Sequence, residues 1–488
     1  MGKWRYPRPA AHAGSGAAFK AGYMLRFLSN RWSLLCLAVL IAAISGGAVA
    51  FGEHASNEQL HRAEIVDGQR LLRTPGLDDW NERQQSPKNN PGQAGRFGSA
   101  FHYDAFVYDK AESSPKVAGI VRRGDVIKVG DKVSGSGCKD GSWYKATPFG
   151  YVCTSLGFHV GETPSTNRYG VPPAKTSSHL PYQYSRVITK RAPRYYRIPT
   201  VQEEKQARRA MEKKGPTPEV VSSLMEGDYF LALAEKETRK ADGAVFYRTI
   251  RGRFVRESDV ELRNPDVVRG EELGRDGWRL PLAFVYGEDR DLLDLKGEKA
   301  RVTGEAQKHG RFVVEEEPNV GGVAYVAGKP GAVKRDEVRV ARQAKRPSKV
   351  PANGKWVHVD LGEQTLVAYE GDKPVYATLI SSGKDGYEPP TGLFAVQQKY
   401  ISTTMNATDP IDGFYEVEEV PWTLYYLGGY ALHGAYWHTD FGKVRSHGCT
   451  NIAPVDARWL YYWSEPEVPA AWHAVRFQPE TTWVYFTS

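Results

Sequence analysis

Cys449 lies in the run Arg445-Ser446-His447-Gly448-Cys449-Thr450-Asn451 and is one of four cysteines in 488 residues. A free thiol is mostly protonated at neutral pH, so a cysteine that does chemistry needs a neighbouring base or cation. His433, His438 and His447 all lie within the preceding stretch. Three readings follow. As a nucleophile, Cys449 could meet His447, because positions i and i+2 of an extended strand share a side. Alternatively, Gly448 permits a sharp turn whose amides converge on one point, as an oxyanion hole requires, and the base arrives from another strand as His433. As a zinc site, the three histidines and the cysteine supply enough ligands, but their spacing matches no standard signature. As packing, Cys449 is a small hydrophobe beside a structural histidine. Asp440 has the type of a triad acid, yet His438-Thr439-Asp440-Phe441-Gly442-Lys443 reads as a turn.

The elements that must position these residues begin near Lys355. Residues 355–382 alternate apolar and polar side chains over two strands, with a turn at Glu370-Gly371-Asp372. Residues 389–400, 472–479 and 481–488 read as further strands. Only 454–463 reads as a helix, with Pro454 in its first turn and Ala457, Leu460 and Tyr461 on one face. The fold class expected for residues 355–488 is mainly β with one short helix.

Upstream, three segments echo one another: 141–158, 243–260 and 322–339. Each runs glycine turn, aromatic-bearing strand, second glycine, strand, then a short turn to an apolar residue, and each follows an extended apolar run. They predict small strand–turn–strand modules over 101–162, 181–263 and 272–342. Residues 161–180 read as a linker, 202–214 as a charged helix inserted in the second module, and 342–354 as a basic, proline-rich hinge.

With net charge +8 and 49 glycines beside 30 prolines, the chain reads as several turn-rich domains rather than long helices. The charge is spread out, with no zinc-finger spacing or arginine-rich run, so nucleic acid is not an expected partner. Residues 32–52 carry no charge and follow a purely basic flank. A stretch of roughly 20 apolar residues can span a bilayer with its basic side in the cytoplasm. Residues 1–52 therefore read as a cytoplasmic tail with a membrane anchor, or as a signal segment cleaved after Ala48-Val49-Ala50. Either way the remainder is exported, and 53–100 reads as a flexible tether. In an oxidising compartment Cys138 and Cys153 could bridge. Cys36 lies in the apolar run, so Cys449 is left single.

His433-Gly434, followed by Ser446-His447-Gly448-Cys449-Thr450-Asn451, resembles the signature of the L,D-transpeptidases, whose catalytic domain is of the YkuD type. Pro390-Thr391-Gly392-Leu393-Phe394 is similar to the family's Pro-Thr-Gly-x-Phe strand, and 420–434 to the segment leading into its first histidine. The resemblance implies a YkuD-like β-sandwich over 355–488, with Cys449 as nucleophile, His433 as base and the Gly434 carbonyl orienting the imidazole. It also implies an oxyanion held by amides near His447, Gly448 and Cys449. Ser446, His447 and Asn451 would shape the loop. Trp437 and His438 would line the cleft, and Tyr415 and Trp422 would cover it, with ordinary packing the alternative for these four. The implied reaction releases terminal D-alanine from a peptidoglycan tetrapeptide stem through a thioester, then passes the acyl group to an amine, with no cofactor and no metal. Hydrolysis, or an inactive domain in a wall-binding adaptor, are the alternatives. The three upstream modules resemble bacterial SH3-like domains, small β-barrels. The implied location is the cell envelope, anchored in the inner membrane and facing the periplasm.

Overall fold

The computed structural model describes residues 95–165, 170–213, 215–264, 268–297, 299–409 and 413–488. The chain divides into two units, Met1–Pro75 and Gly76–Ser488, and every described residue belongs to the second. The apolar run at 32–52 and most of the expected tether lie outside the described residues. Among the described residues no helix is long and apolar enough to cross a membrane.

The protein is mainly β. Around the cysteine, two sheets enclose the core. In one, Lys355–Asp360, Thr365–Glu370 and Lys373–Ser381 form an antiparallel ladder, extended by Trp483–Thr487, which runs parallel to the first strand, and then by Gly392–Ala395. In the other, the long hairpin of Gln398–Asp409 and Gly413–Leu427 pairs with Tyr430–Gly434, which runs parallel to Thr450–Ile452. Lys373–Ser381 joins both sheets, since its last residues pair with Asn451 and Ile452. Trp422, Leu424, Tyr426, Leu432, Ile452, Val484 and Phe486 fill the space between them. Burying such side chains removes on the order of 1.5–3 kcal/mol of apolar exposure each.

The helix Pro454–Trp463 lies on this sheet, tied at its start to neighbouring elements through buried Asp456 and at its end through buried Lys399. Proline opens it, where a missing N–H costs nothing. In its first turn Asp456 accepts hydrogen bonds from Gly270 N–H (2.8 Å), Tyr376 O–H (2.7 Å) and Thr378 O–H. At the other end Lys399 Nζ donates to the carbonyls of Tyr461 and Ser464, both at 2.6 Å. The second helix, Val201–Lys213, starts on a capping box: Glu203 N–H donates to Thr200 Oγ1 (3.2 Å) while Thr200 N–H donates to Glu203 Oε2 (2.8 Å).

Two of the three echoing segments adopt one order of elements. Val245–Thr249, Phe254–Arg256, a single 3₁₀ turn and Val260–Arg263 in one match Val323–Gly328, Gly331–Lys334, a 3₁₀ turn and Val338–Ala341 in the other. The first segment has the strands Trp143–Ala146, Tyr151–Cys153 and Phe158–Gly161, with Cys138 and Cys153 joined by a disulfide.

Two expectations need correction. The tether ends before residue 100, because Arg96–Ala100 is a strand held between Val126–Val133 and Phe158–Gly161; Gly98 lets these neighbours approach closely, with Val129 3.0 Å from where a Cβ would sit. The expected linker and hinge are also packed rather than loose. His179 offers its carbonyl to Trp422 Nε1 (2.6 Å), Thr176 offers its own to Arg458 (2.8 Å), and Val350 is buried. Polar composition concealed these contacts, which are made largely by main-chain carbonyls.

Candidate active site

Tyr430–Gly434 and Thr450–Ile452 run side by side, with His433 opposite Asn451 in the ladder. Cys449 immediately precedes the second strand, so thiol and imidazole arrive on adjoining strands. The ladder thus sets His433 on the strand beside the one that Cys449 leads into, as the reading with a base from another strand requires. His447 lies between two aromatic rings, stacked on Tyr415 (5.1 Å, interplanar 21°) and edge-on to Tyr387 (5.3 Å).

The turn before Cys449 is tightly built. Gly448 has φ +122°, a region L-residues avoid, and a Cβ there would meet the Tyr430 ring at 2.9 Å. Ser446 Oγ accepts the Gly448 N–H (3.1 Å) and donates to the Cys449 carbonyl. The Gly448 amide is therefore engaged within the turn. The Ser382 carbonyl accepts the N–H groups of both Arg445 and Ser446 at 2.9 Å, and Lys384 N–H donates back to the Ser446 carbonyl at 3.0 Å.

Cys449 is half-buried and donates its S–H to the Gly429 carbonyl at 3.6 Å. Burial pushes its pKa up to about 11, against a smaller opposing effect from the Ala431 N–H. His433 is buried, and its Nδ1 lies 3.3 Å from the Gly434 carbonyl. Burial drives its pKa down to about 4, with that carbonyl opposing. Both groups are thus neutral near pH 7, a thiol and an imidazole rather than an ion pair. With Nδ1 turned to a carbonyl acceptor, Nδ1 carries the ring proton and Nε2 is left with the lone pair that can take another.

Asn451 and His438 are buried together. Asp440 N–H donates to His438 Nδ1 (3.2 Å), and the Asn451 side-chain amide nitrogen lies 2.9 Å from His438 Nε2. His438 therefore supports the ladder position opposite His433 rather than lining an open cleft. Asp440 pairs with Arg445 (2.6 Å) on the surface of the turn. Trp437 is half-buried, with its ring 5.7 Å from that of His433. Trp422 is corrected: it is fully buried, packed on Tyr461 and Tyr462, and covers nothing. The stretch around it is apolar on both faces because the helix covers one side and the core the other. Among the described residues no cluster of three or more His, Cys, Asp or Glu side chains is arranged to hold a metal ion.

Four neighbours of the site were not singled out from the sequence: Gly429, Tyr430, Ala431 and Tyr387. The Gly428-Gly429-Tyr430 turn just before the strand of His433 was a usable signal for the first three. Tyr387 had none, since it reaches the site through the isolated bridge between Gly383 and Ser446.

Residues 354–472 match the family model of the L,D-transpeptidase catalytic domain, YkuD. No curated protein matches the chain. Similar solved structures include the carbamoyl enzyme of Ldtfm with avibactam (24% identity over 30% of this chain and 54% of that one, TM-score 0.23). Another is the L,D-transpeptidase of Stackebrandtia nassauensis (24%, 29% and 58%, TM-score 0.21). A third is the catalytic domain of the E. faecium L,D-transpeptidase acylated by ertapenem (25%, 28% and 98%, TM-score 0.23). The chain spans little more than half the length of the first two, at 54% and 58%. Superpositions this partial carry no argument, and the assignment rests on the family-model match, with every fixed position of the signature present in the sequence. Residues 354–472 are an L,D-transpeptidase catalytic domain of the YkuD type.

Proposed function

We propose that the protein is a cysteine acyltransferase acting on peptidoglycan stem peptides, with Cys449 as nucleophile and His433 as base. The observation that carries this reading is the parallel pairing of the strand that bears His433 with the strand that Cys449 leads into, with the imidazole turned through Nδ1 to the Gly434 carbonyl so that Nε2 is available. As the sulfur attacks the carbonyl of the third stem residue, its proton passes to His433 Nε2. The C–N bond to terminal D-alanine breaks, that nitrogen takes the proton from the imidazolium, and a thioester remains on Cys449. An acceptor amine then attacks the thioester, gives its proton to His433, and the thiolate recovers it as the new amide forms. A thioester keeps the acyl group activated without a nucleotide, which suits a reaction outside the cytoplasm.

The Gly434 carbonyl holds the ring as a carboxylate does in other triads. With the Gly448 amide engaged by Ser446, the Cys449 amide is the donor assigned to the developing oxyanion. One such donor contributes about 2.7–4 kcal/mol to the transition state. Export through residues 1–52 would bring the domain to its substrate, and the modules upstream would hold it against the wall. Incubation with ertapenem followed by intact-protein mass spectrometry tests the reading. One adduct per chain is expected, and none in Cys449→Ala. Absence of any adduct on the native protein would favour a wall-binding adaptor instead.

A further inference from the structure

The strand Asp228–Thr238 lies outside residues 354–472 yet adjoins the catalytic domain's own hairpin. Its first residues, Asp228, Tyr229 and Phe230, run parallel to Tyr415, Glu416 and Val417 of Gly413–Leu427. Two lines of contact lead from this pairing to the two halves of the site. Tyr415, held in register opposite Asp228, stacks on His447, two residues before Cys449. Phe230 packs against Trp437 with ring centroids 6.1 Å apart, and Trp437 packs against His433 at 5.7 Å.

The second line matters because little else orients the imidazole. The hydrogen bond His433 makes is the 3.3 Å contact to the Gly434 carbonyl, long for an N–H donor. Its orientation must then come largely from packing, and Trp437 is the aromatic ring lying against it. Trp437 is itself half-buried, so its rotamer depends on what stands behind it. Tyr436 stands edge-on to it at 5.1 Å, and Phe230 stands beside Tyr436 (6.2 Å), covered by the Arg186 guanidinium (5.9 Å). We propose that Phe230 is a positioning residue: it wedges Trp437 against His433, so that the segment upstream of the catalytic domain sets the aim of the base.

This rests on the reading of His433 as the base, and misplacement of a catalytic group by about 1 Å can cost on the order of 100-fold in rate. The test uses the exported protein with all its segments. Phe230→Leu keeps most of the volume and loses the ring, Phe230→Tyr restores the ring, and Ile188→Ala alters an exposed side chain of the same segment. Ertapenem acylation is followed by stopped-flow mass measurement, separating the rate at saturation from the concentration dependence. Phe230→Leu is expected to lower the saturating rate about 10-fold or more with little change in half-saturation. Phe230→Tyr and Ile188→Ala should stay within about 2-fold of the native rate, the allowance for changes that leave the site's geometry intact. In parallel, the ring ¹⁵N resonances of His433 are recorded. They should move in Phe230→Leu and return in Phe230→Tyr. Native-like rates and ring resonances in folded Phe230→Leu would overturn the proposal, as would an equal rate loss in Phe230→Tyr. The ring resonances need no activity, so they decide the positioning claim even if Cys449 is never acylated.

Discussion

Glu419 and His433 are both sealed from water, and the protein treats them in opposite ways. Glu419 is surrounded by donors: Tyr103 O–H at 2.9 Å, Arg122 at 2.9 Å and Ser402 O–H at 2.6 Å. Arg122, the largest of the opposing influences, helps hold the carboxyl below its ordinary range despite burial, so it stays charged. Next to it Glu418 meets Arg194 at 3.3 Å and the Ala232 N–H at 3.4 Å, on the side of the second segment. This junction welds two upstream segments to the hairpin that leads to the site. His433 and Cys449 receive no such compensation. Each has main-chain contacts only, and burial removes the charge from both. A buried ionisable group given partners becomes a joint, whereas one denied them remains available for proton transfer.

The contrast can be broken at either end. His433→Ala should lower the ertapenem acylation rate by about 10²–10⁴-fold, the usual contribution of a general base, while thermal unfolding changes little. Arg122→Met should do the reverse. Leaving Glu419 buried without its nearest ion-pair partner is expected to cost about 3–5 kcal/mol in denaturant unfolding. The acylation rate of the molecules that remain folded should persist.

Glu418 sharpens the comparison through pH. Burial raises its pKa to about 7, with the Arg194 charge opposing. A carboxyl whose folded pKa lies above its unfolded value stabilises the fold fully below the unfolded value, and that contribution is lost as pH rises through about 7. Glu418→Gln should therefore gain stability relative to the native protein between pH 5 and pH 8, by about 1–3 kcal/mol in parallel melts. A smaller effect is expected from Ser446→Ala, which removes the hydroxyl that takes the Gly448 N–H and gives its proton to the Cys449 carbonyl. About 1 kcal/mol of stability should be lost, with slower acylation as the turn loosens.

The candidate site was legible where the chemistry is written in local order. His433, Ser446 to Cys449 and Asn451 stand close in sequence, and the strand pairing sets His433 opposite Asn451, with Cys449 just before that strand. The helix at 454–463 was legible for the same reason, because proline and a one-sided apolar stripe act within a few turns. Trp422 was misread because an aromatic near a motif looks identical whether a helix covers it or solvent does. The strand Arg96–Ala100 was hidden by glycine and polar flanks that only its neighbours' close approach explains. Tyr387 and Phe230 could not be found from spacing at all. The first arrives across an isolated bridge and the second from a segment about 200 residues upstream of the cysteine, joined through a parallel strand pairing.

The most direct test of the account is to incubate the protein with a stem tetrapeptide, quench in acid, and locate the adduct by peptide-resolved mass spectrometry. The account predicts a thioester on Cys449 carrying the tripeptide without its terminal D-alanine, lost in Cys449→Ala and strongly diminished in His433→Ala. An adduct that persists in Cys449→Ala, or native protein that turns over the tetrapeptide while Cys449 is alkylated, would contradict it.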